Sequence, residues 1–498
     1  MSAARRTVQG VPHDDRPTLF CLHALGSSAR EFDALRELLA DDFDVVGIDL
    51  PGFGEASAAT GTSVDEMVGH VVRKIRRHGS TRFVLVGHSM GGKIASLVAA
   101  RTLDGSSGLF GLAGVVLLAG SPPSPEPMGD DARAQMLSWA RAGISGDGHL
   151  ATADARTFID DNVGAPLSPE NDDRALSDVL RSAAEAWLAW FERGSLEDRA
   201  AEVGILDVPA LIVAGGSDGP LGEAGQREHN LPMYPRATLE VLAGAGHLLP
   251  LERPDELADL IRVFWRERVG SGPFVSPGFG RVIGSGRTSS QTRAILAGRA
   301  LPDDPDYTPQ VLDAAQFATL RLVAERVVPQ GPAPFDIAGR VDAALARGVS
   351  DGWRNAALPP DQEAYRLGLD ALDDFATLDD EAKDSRIQAI VDQQYAPRAG
   401  TLTAEQMTLW FEDCRVDLTR TWLAHPATME RIGFDGFANG GDVIRIQGFT
   451  ELGADRREAW EPAMPGPSAR DTGASTTETT DTGITDTGIT DTEKETVR

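Results

Sequence analysis

Lysine is nearly missing from this chain: of 47 basic residues only Lys74, Lys93, Lys383 and Lys494 are lysines. Positive charge as a whole is scarce. The 47 basic residues face 75 acidic ones, a formal net charge of -28. A surface of that sign repels phosphate backbones and anionic headgroups, which argues against nucleic acid and membrane-surface partners. Cysteine is almost absent. Cys21 and Cys414 fall in different parts of the chain, which excludes a disulfide framework and a cysteine-based metal site. No uninterrupted apolar run is long enough to span a bilayer. The N-terminus carries a twin arginine, Arg5-Arg6, but no apolar stretch follows it, as an export signal would require, so a cytoplasmic protein is expected. No spacing of His, Asp and Glu suggests a metal site. The one glycine-rich candidate for phosphate binding, "GGDVIRIQG", lacks a strand–helix context. No metal or cofactor is expected.

What is present divides the 498 residues into unlike parts. From Thr18, short apolar β-rich runs alternate with amphipathic helical patterns: "TLFCLHALG", "REFDALRELLADD", "FDVVGIDLPGFG", "VDEMVGHVVRKIRRHG", "RFVLVGHS", "GGKIASLVAARTLD", "LAGVVLLAGS". Short continuous strands separated by helices imply a mostly parallel, doubly wound sheet covered on both faces. The alternation lapses over about 122–205, a helical insertion expected to form a cap, and resumes with "VPALIVAGGSDGP" and "ATLEVLAGAGHLLPLERPDEL". This first domain is expected over 1–268. Residues 269–306, rich in Gly, Ser and Pro, read as a linker. Residues 307–462 read as a second, mainly α-helical domain. Its first helix is expected to open at Thr308 and stop at Pro329, and a later one over "TAEQMTLWFEDCRVDLTRTWLAH" to stop at Pro426. The acidic, Thr-rich tail 463–498 has almost no large apolar side chains and is expected to be disordered.

One constellation carries chemistry. "GHSMG" between a strand and a helix is a G-x-S-x-G elbow. A sharp turn would push Ser89 Oγ out at the carboxyl edge of the sheet. Gly87 and Gly91 would omit Cβ atoms that clash there. A serine hydroxyl is a weak nucleophile, so it needs a base and an oxyanion hole. His247, late in the domain after a strand, is placed as the base. Asp218, after the preceding strand, is placed to orient it, in the chain order Ser–Asp–His. The oxyanion donors expected are the backbone N–H groups of Met90 and Leu25. Trp139, Trp187 and Trp190, with Phe158 and Phe191, either line a substrate pocket or hold the cap helices together; spacing does not separate the two.

With "LHALGSS", "IDLPGFG", "GHSMGG", "GGSDGP" and "GAGHLLPLERPDEL", residues 17–268 resemble the α/β-hydrolase fold, in its lid-bearing esterase, lactonase and C–C-hydrolase forms. The family's early loop commonly reads His-Gly-x-Gly, and Ala24 replaces that first Gly here. Relatives with Asp at the elbow are dehalogenases and epoxide hydrolases; Ser89 argues against both and leaves ester, lactone, thioester or C–C hydrolysis. Glu126 stands at the alternative acid location that some relatives use. Asp49 reads as a strand-end structural residue, His88 and His23 as loop supports, and His70, His78 and His149 as surface residues.

The helical region is similar to the gluconate 2-dehydrogenase subunit 3 family through "LRLVAERVVPQ", "TLWFEDCRVDLTRTWLAHP" and "GFANGG…IQGFTELG…REAWEP". That resemblance implies no active site of its own. It implies a large flavin-dependent dehydrogenase of the glucose–methanol–choline type as partner. A domain that only caps or dimerises the hydrolase is the other possibility. The expectation is thus a serine hydrolase for an ester or lactone fused to a docking domain. The alternative is a non-catalytic accessory protein of a dehydrogenase complex, with the first domain as scaffold.

Overall fold

The computed structural model describes residues 16–331, 333–349, 355–442 and 456. The expectations for "VIRIQGFTELG" and "REAWEP", and for the tail, lie outside the described residues.

Six strands form the sheet: β1 Thr18–Leu22, β2 Asp44–Ile48, β3 Phe83–His88, β4 Leu112–Leu118, β5 Ala210–Gly215 and β6 Ala237–Leu242. All pairings are parallel, in the order β2-β1-β3-β4-β5-β6. Every residue of β1, β3 and β5 is buried, because helices cover both faces. Two apolar clusters, one on each side of the sheet, form this core. The chain leaves β1 toward β2, then returns to β3 on the other side of β1. The loops after β1 and β3 therefore diverge at the switch point where such sheets bind ligands.

The helices read from the sequence have physical starts and stops. Ser63 and Glu66 make a capping box for Val64–His78, and Gly79 closes that helix in the left-handed conformation at φ 82°. Between β4 and β5 the cap holds the helices Asp130–Ser145, Thr152–Asp161, Pro169–Arg181, Ala184–Ala189 and Ala200–Val203, with a π-helical turn at Trp190–Gly194.

The segment 269–306 differs from its reading as a linker. It carries the helices Pro277–Gly284 and Ser290–Ala300. The Ser and Pro residues that suggested a loose connection are caps: Ser276 and Ser289 accept the N–H groups of Phe279 and Thr292, and Pro277 opens its helix. In the second helical region the first helix starts at Ala314, six residues past Thr308, because Asp313 and Gln316 supply the capping box. Thr403 and Gln406 cap Ala404–Leu423 in the same way, ahead of Pro426. A separate apolar core joins these helices, with Trp410, Phe411 and Cys414 fully buried. Cys21 lies in the other core, so the two thiols are far from each other in the fold.

The two halves pack together rather than trailing on a tether. Phe110 of the first domain joins Val275, Ile283, Leu296, Ala297 and Met429 in one buried cluster. Arg293 Nε donates to the Gly105 carbonyl at 2.8 Å. A Cβ at Gly105, whose φ is 77°, would lie 2.0 Å from the Ser290 carbonyl oxygen, so only glycine lets these segments meet. A chain cut after residue 268 would uncover Phe110 and its surroundings. At about 2–3 kcal/mol for such a side chain, it is expected to melt roughly 5–10 °C lower than the full chain in a thermal scan. An unchanged melting temperature would contradict this packing role.

Candidate active site

Ser89 has φ 50° and ψ -120°, a left-handed-side conformation that non-glycine residues avoid. The surroundings hold it there. Ser89 N–H donates to the Leu118 carbonyl at 3.0 Å, and its own carbonyl accepts from Gly92 at 2.7 Å and Ser121 at 2.8 Å. The expected role of the glycines has a geometric basis. A Cβ at Gly87 would lie 2.5 Å from the Gly91 carbonyl oxygen, and one at Gly91 would lie 2.2 Å from the Leu22 carbonyl oxygen. Met90 is the first residue of the helix Met90–Leu103. Its N–H therefore has no intrahelical acceptor and sits at the positive end of the helix dipole.

Asp218 Oδ2 accepts a hydrogen bond from His247 Nδ1 at 2.8 Å. Asp218 in turn receives the Gly219 N–H at 2.7 Å. Burial alone would lower the imidazole pKa, but the Asp218 carboxylate outweighs it, with help from Glu126 and Glu31, so His247 lies above its ordinary value. Burial would likewise raise Asp218; the charge and hydrogen bond of His247 outweigh that and hold its carboxyl below the usual range. Ser89 and His247 line one cavity of about 100 Å³, with Leu25, Glu126, Phe158, Trp190, Phe191 and Asp218 also in its wall. No hydrogen bond joins Ser89 Oγ to His247; such contacts commonly tighten when substrate is bound.

Of the three tryptophans expected as pocket candidates, Trp190 lines the cavity. Trp139 and Trp187 do not, and both belong to the core behind it. Trp187 is fully buried beneath the loop after β1: a Cβ on Gly26 would fall 2.5 Å from its ring, and Phe158 meets it edge-on at 4.8 Å. The π-helical turn starts at Trp190 and brings Phe191 into the same wall.

The rivals for the acid role have other work or none assigned. Asp49 accepts the N–H groups of Ala29 at 2.7 Å and Glu55 at 3.0 Å, a loop brace. Glu126 lines the cavity, but its hydrogen bond is to Ser121 Oγ at 2.7 Å rather than to His247. His23 Nδ1–H donates to the Ala24 carbonyl at 2.7 Å, and its Nε2 accepts from Leu50 at 3.0 Å, which fixes the loop of Leu25. His70, His78 and His149 are outside the cavity wall. Among the described residues no group of three His, Cys, Asp or Glu could hold a metal ion.

Several supports went unread in the sequence. Buried Glu31 accepts Ala24 N–H at 3.3 Å and lies 2.9 Å from His88 Nδ1, while His88 Nε2–H donates to the His247 carbonyl at 2.8 Å. Lys93, buried in the helix behind Ser89, donates to the carbonyls of Gly194 and Glu197 in the cap. Burial pulls its ammonium down to about 8. The Asn162 carbonyl accepts from His247 and Leu248, and Glu252 accepts from Gly246 and Gly164. The one available signal was a charged residue on an apolar face, at Glu31 and Lys93.

A model of the alpha/beta hydrolase family matches residues 19–260, so this part of the chain is an α/β-hydrolase domain. A second model, gluconate 2-dehydrogenase subunit 3, matches residues 314–437. The chain thus carries an α/β-hydrolase domain followed by a gluconate 2-dehydrogenase subunit 3 domain. The chain is 29% identical over 283 residues to the uncharacterized hydrolase YugF of Bacillus subtilis, covering 52% of this chain and 96% of the relative. It is 28% identical over 254 residues to a 2-succinyl-6-hydroxy-2,4-cyclohexadiene-1-carboxylate synthase of Serratia proteamaculans, covering 50% and 93%. A thermophilic esterase from Thermogutta terrifontis aligns with a TM-score of 0.43 and 23% identity, over 50% of this chain and 89% of that one. Among the described residues no helix is long and apolar enough to cross a membrane.

The raised pKa of His247 sets a pH expectation. A base must be neutral to act, so activity should fall as pH drops through an acid limb lying above the ordinary imidazole value of about 6.5. Asp218→Asn removes the charge that favours imidazolium. It should move that limb to lower pH and reduce kcat by about 10³–10⁴-fold, as read from pH–rate profiles of both proteins. An unmoved limb would remove Asp218 from this role.

Proposed function

We propose that the first domain is a serine hydrolase for an ester or lactone. Ser89 Oγ attacks the substrate carbonyl as His247 Nε2 takes its proton. The N–H groups of Leu25 and Met90 stabilise the oxyanion, and the alcohol leaves with the proton returned by His247. Water then repeats the sequence on the acyl-enzyme and regenerates Ser89. Asp218 fixes the imidazole so that Nε2 is the free nitrogen. The observation that carries this reading is the strained backbone of Ser89, whose side chain shares a cavity with the Asp218-bound His247. A retired scaffold would have no need to keep a strained serine beside an oriented base.

The helical domain is read as a docking module for a flavin-dependent dehydrogenase, supported by the family that matches it. A sugar dehydrogenase of that kind releases a lactone, which a tethered hydrolase opens to the acid. Among its described residues no group of three His, Cys, Asp or Glu could hold a metal ion.

A fluorophosphonate probe is expected to label the wild-type chain and leave Ser89→Ala unlabelled. Equal labelling of the two, or none of either, would favour the scaffold alternative. Affinity capture of the full chain from its own cells should bring down a protein with flavin absorbance; capture without one would count against the docking role.

A further inference from the structure

Glu126 is the feature of the cavity that the Ser–Asp–His chemistry leaves unused. The wall around it is largely apolar, with Leu25, Met128, Phe158, Trp190, Phe191 and Leu221. Its main chain is fixed: Glu126 N–H donates to the Ser195 carbonyl at 2.7 Å, and its carbonyl accepts from Met128 at 2.8 Å. Oε2 accepts Ser121 Oγ–H at 2.7 Å. Oε1 has no hydrogen-bond partner among the described residues. The two cations nearest in charge are committed elsewhere: Lys93 to the carbonyls of Gly194 and Glu197, Arg133 to the Phe191 carbonyl and Ser195 Oγ. Burial pushes the Glu126 carboxyl up against the opposing effects of the Ser121 hydroxyl and the charges of His247, Lys93 and Arg133. Glu126 is half-buried, so an acid fixed at the backbone in a largely apolar wall presents one uncommitted carboxylate oxygen to the cavity, the kind of placed polar group that orients a ligand. His247 does not, since its Nδ1 belongs to Asp218.

We propose that Glu126 is a specificity-determining residue whose free oxygen accepts a hydrogen bond from the substrate. The natural ester or lactone therefore carries a hydroxyl or ammonium group within reach of Glu126 when its carbonyl is at Ser89. This rests on the serine-hydrolase reading above. Once substrate closes the cavity over this oxygen, an analogue without a donor leaves it unpaired and is discriminated against. Sugar-derived lactones, rich in hydroxyls, belong to the hydroxyl class.

The test uses the full chain and three fluorophosphonates of equal chain length, ending in methyl, hydroxyl or ammonium. The readout is the second-order rate of Ser89 labelling, taken as a ratio to the methyl probe. Wild type is expected to favour one of the donor-bearing probes by about tenfold or more. That ratio should fall to near one in Glu126→Leu. Glu126→Gln separates the sources: a hydroxyl preference survives on the neutral acceptor, and an ammonium preference is lost with the charge. Equal rates for all three probes in wild type, or a preference that survives Glu126→Leu, would overturn the proposal while leaving Ser89 as nucleophile. Absence of any Ser89-dependent labelling would overturn both.

Discussion

The site depends on one buried contact, the pairing of Glu31 with His88. Both nitrogens of His88 face acceptors, the Glu31 carboxylate at 2.9 Å and the His247 carbonyl at 2.8 Å. Nε2 must therefore carry a proton, and a second lies between Nδ1 and Oε1. Glu31 also receives Ala24 N–H, one residue before Leu25. Three separate segments thus meet on two side chains: the loop after β1, the elbow after β3, and the loop that carries His247. In a low-dielectric interior such a network is strong when satisfied and expensive when broken. It ties the segments of Ser89, His247 and Leu25 to one another. Ala24 in place of the usual glycine fits this arrangement, since its side chain is buried and its N–H is used.

The cap is anchored to the same framework rather than hinged above it. Lys93 reaches from the helix that follows Ser89 to two cap carbonyls. Asp178 of the cap, itself buried, accepts Ser28 Oγ–H at 2.7 Å beside the loop after β1. Gly164 and Gly246 approach so closely that a Cβ on Gly246 would lie 2.3 Å from Gly164 N. The cavity wall and the loops of Ser89 and His247 are thus joined by direct contacts at these points. The segment 269–306 adds a further brace at the opposite end of the sheet, where Arg293 meets Gly105 and Phe110 packs with Val275, Leu296 and, from the helical domain, Met429.

Much of this was legible before any coordinates. Alternating strand and helix patterns indicated the parallel sheet, since a strand buried on both faces must be apolar at every position. Gly87, Ser89 and Gly91 marked the elbow because the turn leaves no room for other side chains. Asp218 and His247 were legible from chain order and loop context. The segment 269–306 was misread because Ser, Gly and Pro serve caps as well as linkers, and only the neighbouring N–H groups tell the two apart. Thr308 reads as a helix start for a similar reason, but Asp313 is as good a cap and completes a box with Gln316.

The sequence by itself determined the class of fold, the elbow and the order of its chemical partners, because these follow from local periodicity and from steric limits on single residues. Tertiary structure decided which side chains share a space. It brought Trp190 into the cavity and left Trp139 and Trp187 in the core, although all three look alike as aromatic residues on cap helices. It joined Asp218 rather than Glu126 to His247, and it brought Glu31, 57 positions before His88 in the chain, into contact with it. Such pairings arise from the crossing of distant segments, and no spacing along the chain encodes the distance between them.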